Sequence, residues 1–202
     1  MIVGLTGGLA CGKTFVGKAF EAWGARLIRA DELGHQALAP GGDAYAPVIE
    51  EFGRGILDAE GRIDRRCLAA LVFDAPERLA KLNAIVHPAV RRMAQSIEQA
   101  ILAADPRAMI VVEAAILIET GGYKNYDRIV LVACREAQQI ERALARGAVL
   151  ADVEARIQRQ MPLDTKRKYA HYVIDTSGTE EETLRQARNV WRELENLEKM
   201  EA

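Results

Sequence analysis

The residues with the clearest chemical signature lie near the amino terminus, in the segment GGLACGKT at residues 7–14. The segment fits the pattern G-x-x-x-x-G-K-[ST], in which a glycine-rich loop joins a strand to a helix. Glycines let successive backbone N–H groups point into one concavity, and the first N–H groups of the following helix face the same place. Lys13 would bring a positive charge to the β- and γ-phosphates of a nucleotide, and Thr14 would offer its hydroxyl to Mg²⁺. The residues predicted to bind the nucleotide here are Gly8, Leu9, Ala10, Cys11, Gly12, Lys13 and Thr14.

A second candidate is Asp31, which follows a short strand predicted at residues 25–30. Open α/β sheets bind their ligands at the carboxyl ends of the strands, where Asp31 would lie. A carboxylate there could accept a proton from a hydroxyl group and direct the oxygen at phosphorus. Alternatively, Asp31 only caps the helix predicted at residues 32–38. Position alone favours neither interpretation.

The elements that must position these residues alternate along the chain. Short, mainly apolar runs typical of buried strands occur at residues 2–5, 109–113, 128–133 and 172–175, and a further short strand is predicted at residues 25–30. Helical patterns occur at residues 15–23, 32–38, 136–146 and 152–160 and after a capping box at residues 179–182. This alternation predicts an α/β fold with a parallel sheet and helices on both faces.

Residues 43–104 interrupt the alternation and contain no convincing strand. Helical patterns cover residues 45–52, 65–73, 75–85 and 88–104. Asp74 is a plausible N-cap, and a helix is predicted to stop at His87-Pro88 because proline disfavours a continuing helix. We therefore predict a helical insertion with a small core of its own.

Composition excludes several classes of protein. The chain has 202 residues and a net charge of −2, which argues against general nucleic-acid binding. The three cysteines form no C-x-x-C pair, so neither a zinc site nor a disulfide framework is indicated. No apolar run is long enough to span a bilayer, and the chain starts directly in a core strand, so no signal peptide is expected. These features predict a cytoplasmic protein that binds neither membranes nor nucleic acid.

Missing motifs narrow the class further. The chain lacks the N-K-x-D motif of guanine recognition and the L-S-G-G-Q signature of transporters, and it is too short for a motor. A small kinase remains the leading interpretation. A nucleotide-dependent binding switch without an acceptor, or a kinase for another small hydroxyl or phosphate group, is the alternative.

Read together, several segments resemble the dephospho-coenzyme A kinases. They are the loop GLTGGLACGKT, Asp31, GRIDR at residues 61–65, HPAV at 87–90, Leu117, Glu119, Gly121, QMPLD at 160–164, KRKYA at 166–170, Asp175 and Gly178. The similarity covers nearly the whole chain in order.

One departure is Glu113, because the family often has D-x-P-L-L after the third strand. Glutamate is one methylene longer, so Glu113 could reach Mg²⁺ through a water molecule or could simply anchor the loop.

The resemblance implies transfer of the γ-phosphoryl group of ATP to the ribose 3′-hydroxyl of dephospho-CoA, the last step of CoA biosynthesis. It implies a P-loop fold like that of the nucleoside monophosphate kinases, with three layers, Mg²⁺ bound with ATP, and a monomer or small homo-oligomer. The implied parts are a core at residues 1–42, 105–135 and 166–202, an acceptor-binding insertion at 43–104 and a lid at 136–165.

The resemblance also assigns roles to single residues. Lys13, Asp31 and Arg142 are the implied catalytic residues. Arg142 and Arg146 lie four apart in a predicted helix, so both could face the nucleotide or both could form a solvated surface.

The segment from Asp175 to Gly178 is expected to bracket the adenine, unless it is a plain turn. The implied acceptor-binding residues are Asp31, His35, Arg65 and His87. For Arg65 the alternative is a structural salt bridge, and for His35 a surface position. For His87 the residue type alone suggests no chemistry. The run from Lys166 to Lys168 is expected either to pair with phosphate or to be solvated.

Overall fold

In the computed structural model, which describes residues 1–73 and 75–201, five parallel strands form one sheet in the order β2-β3-β1-β4-β5. The strands are β1 Ile2–Gly7, β2 Arg26–Arg29, β3 Ile110–Glu113, β4 Arg128–Ala133 and β5 Tyr172–Asp175. The central strand β1 pairs with β3 on one side and with β4 on the other. All residues of β3 are buried, as expected for a strand of a sheet covered on both faces. The predicted α/β fold with a parallel sheet flanked by helices is confirmed.

Helices follow the strands in the order that the sequence predicts. They are α1 Lys13–Ala22, α2 Ala30–Ala37, α3 Tyr45–Phe52, α4 Arg65–Phe73, α5 Pro76–Ala104, α6 Glu136–Leu144, α7 Leu150–Arg159, α8 Leu163–Arg167 and α9 Glu180–Glu201. Single 3₁₀ turns occupy Arg54–Ile56 and Gly122–Asn125. No helix in the described part of the chain is long and apolar enough to cross a membrane.

The chain divides into two compact units, of which the first comprises Met1–Arg29 and Ile101–Ala202. This unit contains the sheet, and its core packs strand residues such as Val3 and Leu5 against α1 and α9. Phe20 of α1 and Trp191 of α9 lie with ring centroids 5.6 Å apart, and both side chains are buried. Burial of apolar surface of this kind is the main stabilising contribution in a domain core.

The second unit comprises Ala30–Ala100 and has a separate core. Val48, Ile56, Leu68 and Ala89 are among the buried residues that form it. The Tyr45 hydroxyl donates a hydrogen bond to the carbonyl of Gly61 within this unit. Among its described residues it contains no strand, only an isolated antiparallel bridge between Leu57 and Ile63, so the predicted helical character holds.

The predicted helix stop at His87-Pro88 is wrong, because Pro88 lies inside α5, a single helix of 29 residues. Proline lacks an N–H and removes one helical hydrogen bond, which costs about 3 kcal/mol in a helix interior. The apolar side of α5, including Leu82, Val86 and Val90, packs against the core of the second unit and outweighs that loss. The predicted N-cap Asp74 lies outside the described residues.

The start of α9 confirms the predicted capping box. The backbone N–H of Glu182 donates to Thr179 Oγ1 at 3.2 Å, and the N–H of Thr179 donates to Glu182 Oε2 at 2.9 Å. The two side chains thus satisfy two otherwise unpaired N–H groups at the helix start. The short helix α8 was not predicted, because Met161-Pro162 only indicated a break.

Candidate active site

The loop between β1 and α1 curls around its own backbone. Gly12 adopts φ +87°, and Ala10 adopts φ +52°, a conformation that non-glycine residues rarely occupy. A side chain at Gly7 would collide with the backbone carbonyl of Val132 on β4, so the close approach of the two strands requires glycine there. The helix α1 begins at Lys13 without a side-chain cap. Its first N–H groups are therefore suited to an anionic ligand.

Lys13 lies over this loop. Its ammonium group donates to the carbonyl of Gly8 at 2.8 Å and to that of Gly7 at 3.4 Å. The contacts hold the positive charge beside the backbone that forms the predicted phosphate concavity. A phosphate in the concavity would compete for the same ammonium group, with the stronger attraction of opposite charges.

Thr14 and Glu113 form the second part of the site. The Thr14 hydroxyl donates to Glu113 Oε1 at 2.7 Å. Glu113 is 8% exposed, and its Oε2 atom is buried without a hydrogen-bond partner among the described residues. The Arg29 guanidinium lies 3.9 Å from that oxygen. A hydroxyl and a buried carboxylate oxygen are hard ligands that suit Mg²⁺, so the residues present fit the predicted metal.

Arg142 of α6 reaches the loop through Thr176. Its guanidinium donates to Thr176 Oγ1 at 3.0 Å and to the Thr176 carbonyl at 2.6 Å. The Thr176 hydroxyl donates in turn to the carbonyl of Cys11 at 2.8 Å. The turn after β5, which was predicted to bracket adenine, is therefore tied both to α6 and to the phosphate loop.

Other predicted nucleotide contacts lie at different places. Arg146 lies one residue beyond Ala145, the C-cap of α6, and is exposed, so the argument from a shared helix face does not apply to it. Asp175 accepts a hydrogen bond from the N–H of Ser177 at 2.8 Å, and hydrogen bonds from Ser177 hold the pKa of the Asp175 carboxyl below its usual range. Gly178 is exposed beside the carboxylate of Glu182.

The predicted acceptor residues all belong to the second unit. Asp31 lies in the first turn of α2, which begins at Ala30, so Asp31 is not the N-cap that the alternative required. It is exposed, and its carboxylate has no hydrogen bond or ion pair to the described residues of that unit. His35 is exposed in the last turn of the same helix.

Arg65 and His87 lie on other helices of that unit. Arg65 is the first residue of α4 and is exposed. It forms no ion pair with any of the described residues, so none of these residues provides the salt bridge that the alternative required. His87 is half-buried in α5, and burial lowers the pKa of its imidazole. The neutral imidazole is thereby favoured.

A buried ion pair next to the loop was missed from the sequence. Lys166 is fully buried, and its ammonium lies 2.7 Å from Glu119 Oε1 and 3.1 Å from the carbonyl of Ala115. Glu119 Oε1 also accepts the N–H of Met161, and Gln160 Oε1 accepts the N–H of Leu9 at 3.0 Å. Both sequence interpretations of Lys166, phosphate contact and solvated charge, are wrong. No local spacing connects it to Glu119, so the sequence carried no signal for this pair.

A parallel sheet whose central strand leads through a glycine-rich loop into a helix carrying Lys13 and Thr14 is the arrangement of the P-loop kinases. Comparison with known proteins narrows the class. A family model described as dephospho-CoA kinase matches residues 1–182, and the chain belongs to that family.

Individual relatives agree with this assignment. A dephospho-CoA kinase of Aquifex aeolicus is 42% identical over 95% of this chain and 96% of its own length. One from Geobacillus kaustophilus is 38% identical over 98% of this chain and 99% of its own. A crystal structure of a Thermus thermophilus protein superposes with a TM-score of 0.81 at 33% identity, covering 96% of this chain and 97% of that one.

Proposed function

We propose that this protein transfers the γ-phosphoryl group of ATP to the ribose 3′-hydroxyl of dephospho-CoA, giving CoA and ADP. The observation that carries the proposal is an intact phosphate loop, with Lys13 and Thr14 in place, in a chain of the dephospho-CoA kinase family. The substrate itself is inferred from the family, because the contacts of the loop define only the nucleotide.

At the nucleotide end, the loop N–H groups and Lys13 would bind the β- and γ-phosphates. Thr14 and Glu113, directly or through water, would hold Mg²⁺, which neutralises charge on these phosphates when it is bound. Arg142 already lies beside Thr176 and would add positive charge near the loop. Gly8 to Gly12 supply backbone groups, while Arg146, Asp175 and Gly178 remain proposed contacts. Binding and charge neutralisation are the main contributions to phosphoryl transfer.

At the acceptor end, Asp31 would accept the proton of the 3′-hydroxyl. The hydroxyl oxygen then bonds to the γ-phosphorus while the bond from that phosphorus to the β–γ bridging oxygen breaks, and ADP leaves. The exposed Asp31 carboxylate, with no partner among the described residues of its unit, is available for this contact. His35, Arg65 and His87 are proposed to contact the remaining parts of dephospho-CoA.

The test is ADP formation with dephospho-CoA as acceptor, compared with AMP, uridine and shikimate. We expect turnover with dephospho-CoA, and a decrease of about 10²–10⁴ in kcat for Asp31→Asn with ATP affinity nearly unchanged. Glu32→Gln removes a neighbouring carboxylate from the same helix turn and should retain activity. Turnover with another acceptor only would contradict the proposed substrate, and slow hydrolysis indifferent to every acceptor would indicate a binding switch.

We also propose a cytoplasmic enzyme that acts as a monomer or small homo-oligomer. Reduced thiols at Cys11, Cys67 and Cys134 support the location, because free cysteines are typical of reducing compartments. Cell fractionation would test the location, and light scattering of the purified protein would test the oligomeric state. Recovery in a membrane or extracellular fraction would contradict the cytoplasmic location. A large assembly in light scattering would contradict the proposed oligomeric state.

A further inference from the structure

Two cysteine side chains meet beneath the phosphate loop. Cys11 belongs to the loop and is fully buried, and Cys134 directly follows β4 and is 8% exposed. The Cys134 thiol donates a hydrogen bond to the Cys11 sulfur at an Sγ–Sγ distance of 3.4 Å. This is about 1.4 Å longer than the bond between disulfide sulfurs, so a small displacement would bring the two atoms to bonding distance.

The surroundings distinguish the two thiols chemically. The hydrogen bond from Cys134 and the charge of Lys13 lower the pKa of Cys11 to about 7 despite its burial. The same hydrogen bond, together with burial, raises the pKa of Cys134. Cys11 is therefore the nucleophilic member of the pair, because thiolates and not thiols attack oxidants, and Cys134 is placed to react with the oxidised product.

A cavity gives a small oxidant a path to the pair. It has a volume of about 270 Å³ and is lined by residues that include Gly8, Cys134, Gln139 and Gln160. Gly8 has no side chain, and a methyl group in its place would lie 3.0 Å from the Cys11 sulfur. Cys134 lines the cavity directly, and its sulfur lies 3.4 Å from that of Cys11, so a molecule near the size of water in the cavity reaches the side of the pair.

We propose that Cys11 and Cys134 are an oxidisable dithiol, a modification site that hydrogen peroxide converts to a disulfide that weakens ATP binding. The Cys11 thiolate attacks one peroxide oxygen, the O–O bond breaks, and, after one proton is taken up, Cys11 carries a sulfenic acid while water leaves. The Cys134 sulfur then attacks the Cys11 sulfur, the S–O bond breaks, and a second water leaves. The two thiols lose two electrons in total, and the peroxide gains them.

The disulfide acts on the nucleotide site through the backbone of Cys11. The Cys11 carbonyl accepts the hydrogen bond from Thr176, and the following residues, Gly12 and Lys13, begin α1. Movement of Cys11 toward the end of β4 would displace the N–H groups of the loop from their positions around the phosphates. The effect on ATP binding rests on the proposed function, whereas the formation of the disulfide does not depend on it.

The test treats the full-length protein with hydrogen peroxide, alkylates free thiols, and maps cysteine-containing peptides without reduction. We expect a peptide pair linked through Cys11 and Cys134 in the wild type and in Cys67→Ser, and none in Cys134→Ala. ATP affinity, measured by calorimetry with ATP alone, should fall about tenfold or more on oxidation, which is about 1.4 kcal/mol, and return fully with dithiothreitol.

Cys134→Ala is expected to differ in reversibility. Without its partner, Cys11 should proceed to the sulfinic acid, which thiols do not reduce, so dithiothreitol should not restore ATP affinity. Cys134→Ser serves as a second variant if Cys134→Ala does not fold, as judged by circular dichroism.

Several outcomes would overturn the inference. Recovery of Cys11 and Cys134 as free thiols at peroxide levels that oxidise Cys67 would exclude the dithiol. A sulfinic acid on Cys11 beside a free Cys134 in the wild type would exclude it as well. A disulfide that leaves ATP affinity unchanged would remove the effect on binding. If the reduced protein did not bind ATP at all, the proposed function would fail, while the peptide map would still decide the chemistry of the pair.

Discussion

The Thr14 hydroxyl donates a 2.7 Å hydrogen bond to Glu113 Oε1, which joins the start of α1 to the end of β3. Strand β1, which leads into the phosphate loop, pairs directly with β3, and Leu5 lies opposite Glu113. The extra methylene of glutamate thus brings the carboxylate within direct reach of the threonine hydroxyl. One carboxylate oxygen is used in this contact, and the other remains buried without a hydrogen bond among the described residues.

Glu113→Gln should make the proposed reaction depend more strongly on magnesium. The amide keeps the shape and can still accept from Thr14, but it removes the negative charge that would attract the metal. We expect the Mg²⁺ concentration for half-maximal rate to rise by about 10- to 100-fold. The measurement is the initial rate of ADP formation against Mg²⁺ concentration.

The matched control for Glu113 is Glu141→Gln, which changes an exposed carboxylate on α6. It should leave the magnesium dependence unchanged. Equal magnesium curves for Glu113→Gln and the wild type would show that Glu113 only anchors Thr14.

Arg142→Ala should weaken ATP binding about 10- to 100-fold, the range expected for loss of charge-assisted hydrogen bonds. The variant removes both contacts of the guanidinium to Thr176. Arg146→Ala removes the same charge from an exposed position beyond the end of α6, where solvent screens its proposed contact with the nucleotide, so it should raise the dissociation constant only about two- to fivefold. Calorimetric titration with ATP compares the two. Equal losses would show that both arginines contribute equally to nucleotide binding.

The buried pair of Lys166 and Glu119 should be strongly coupled in stability. Lys166→Met leaves the Glu119 carboxylate without its cation and should reduce the free energy of unfolding by about 3–5 kcal/mol. The double variant Lys166→Met with Glu119→Gln removes both charges and keeps an oxygen acceptor for Met161, so it should lose less than the single variant. Urea unfolding of the wild type, Lys166→Met, Glu119→Gln and the double variant gives the coupling energy between the two side chains. Additive losses would mean that the two charges do not interact.

Pro88→Ala should stabilise the protein, by up to about 3 kcal/mol, because alanine restores an N–H donor inside a continuous helix. Pro76→Ala is the control. Pro76 is the first residue of α5, where proline is well tolerated and its replacement should change stability little. Thermal unfolding measures both. No gain from Pro88→Ala would indicate that the helix is interrupted there, as the sequence suggested.

The sequence by itself determined the features whose chemistry is local. The phosphate loop is contiguous from Gly7 to Thr14, so its residue types predict phosphate binding without knowledge of the fold. The strands at residues 128–133 and 172–175 match the structure because buried strands are short apolar runs. The capping box of Thr179 and Glu182 depends on residues three apart, a distance that helix geometry sets.

Only the tertiary structure decided which distant residues meet. Glu113 reaches Thr14 and Cys11 meets Cys134 because β1 lies between β3 and β4, an order that differs from the order of the strands in the chain. Lys166 of α8 pairs with Glu119 in the loop after β3, which is also distant from it in the chain. Packing also decided that α5 passes through Pro88, since the apolar contacts of the whole helix outweigh the preference of one residue. Local preferences act over one helix turn, whereas these contacts join segments whose separation along the chain carries no periodic signal.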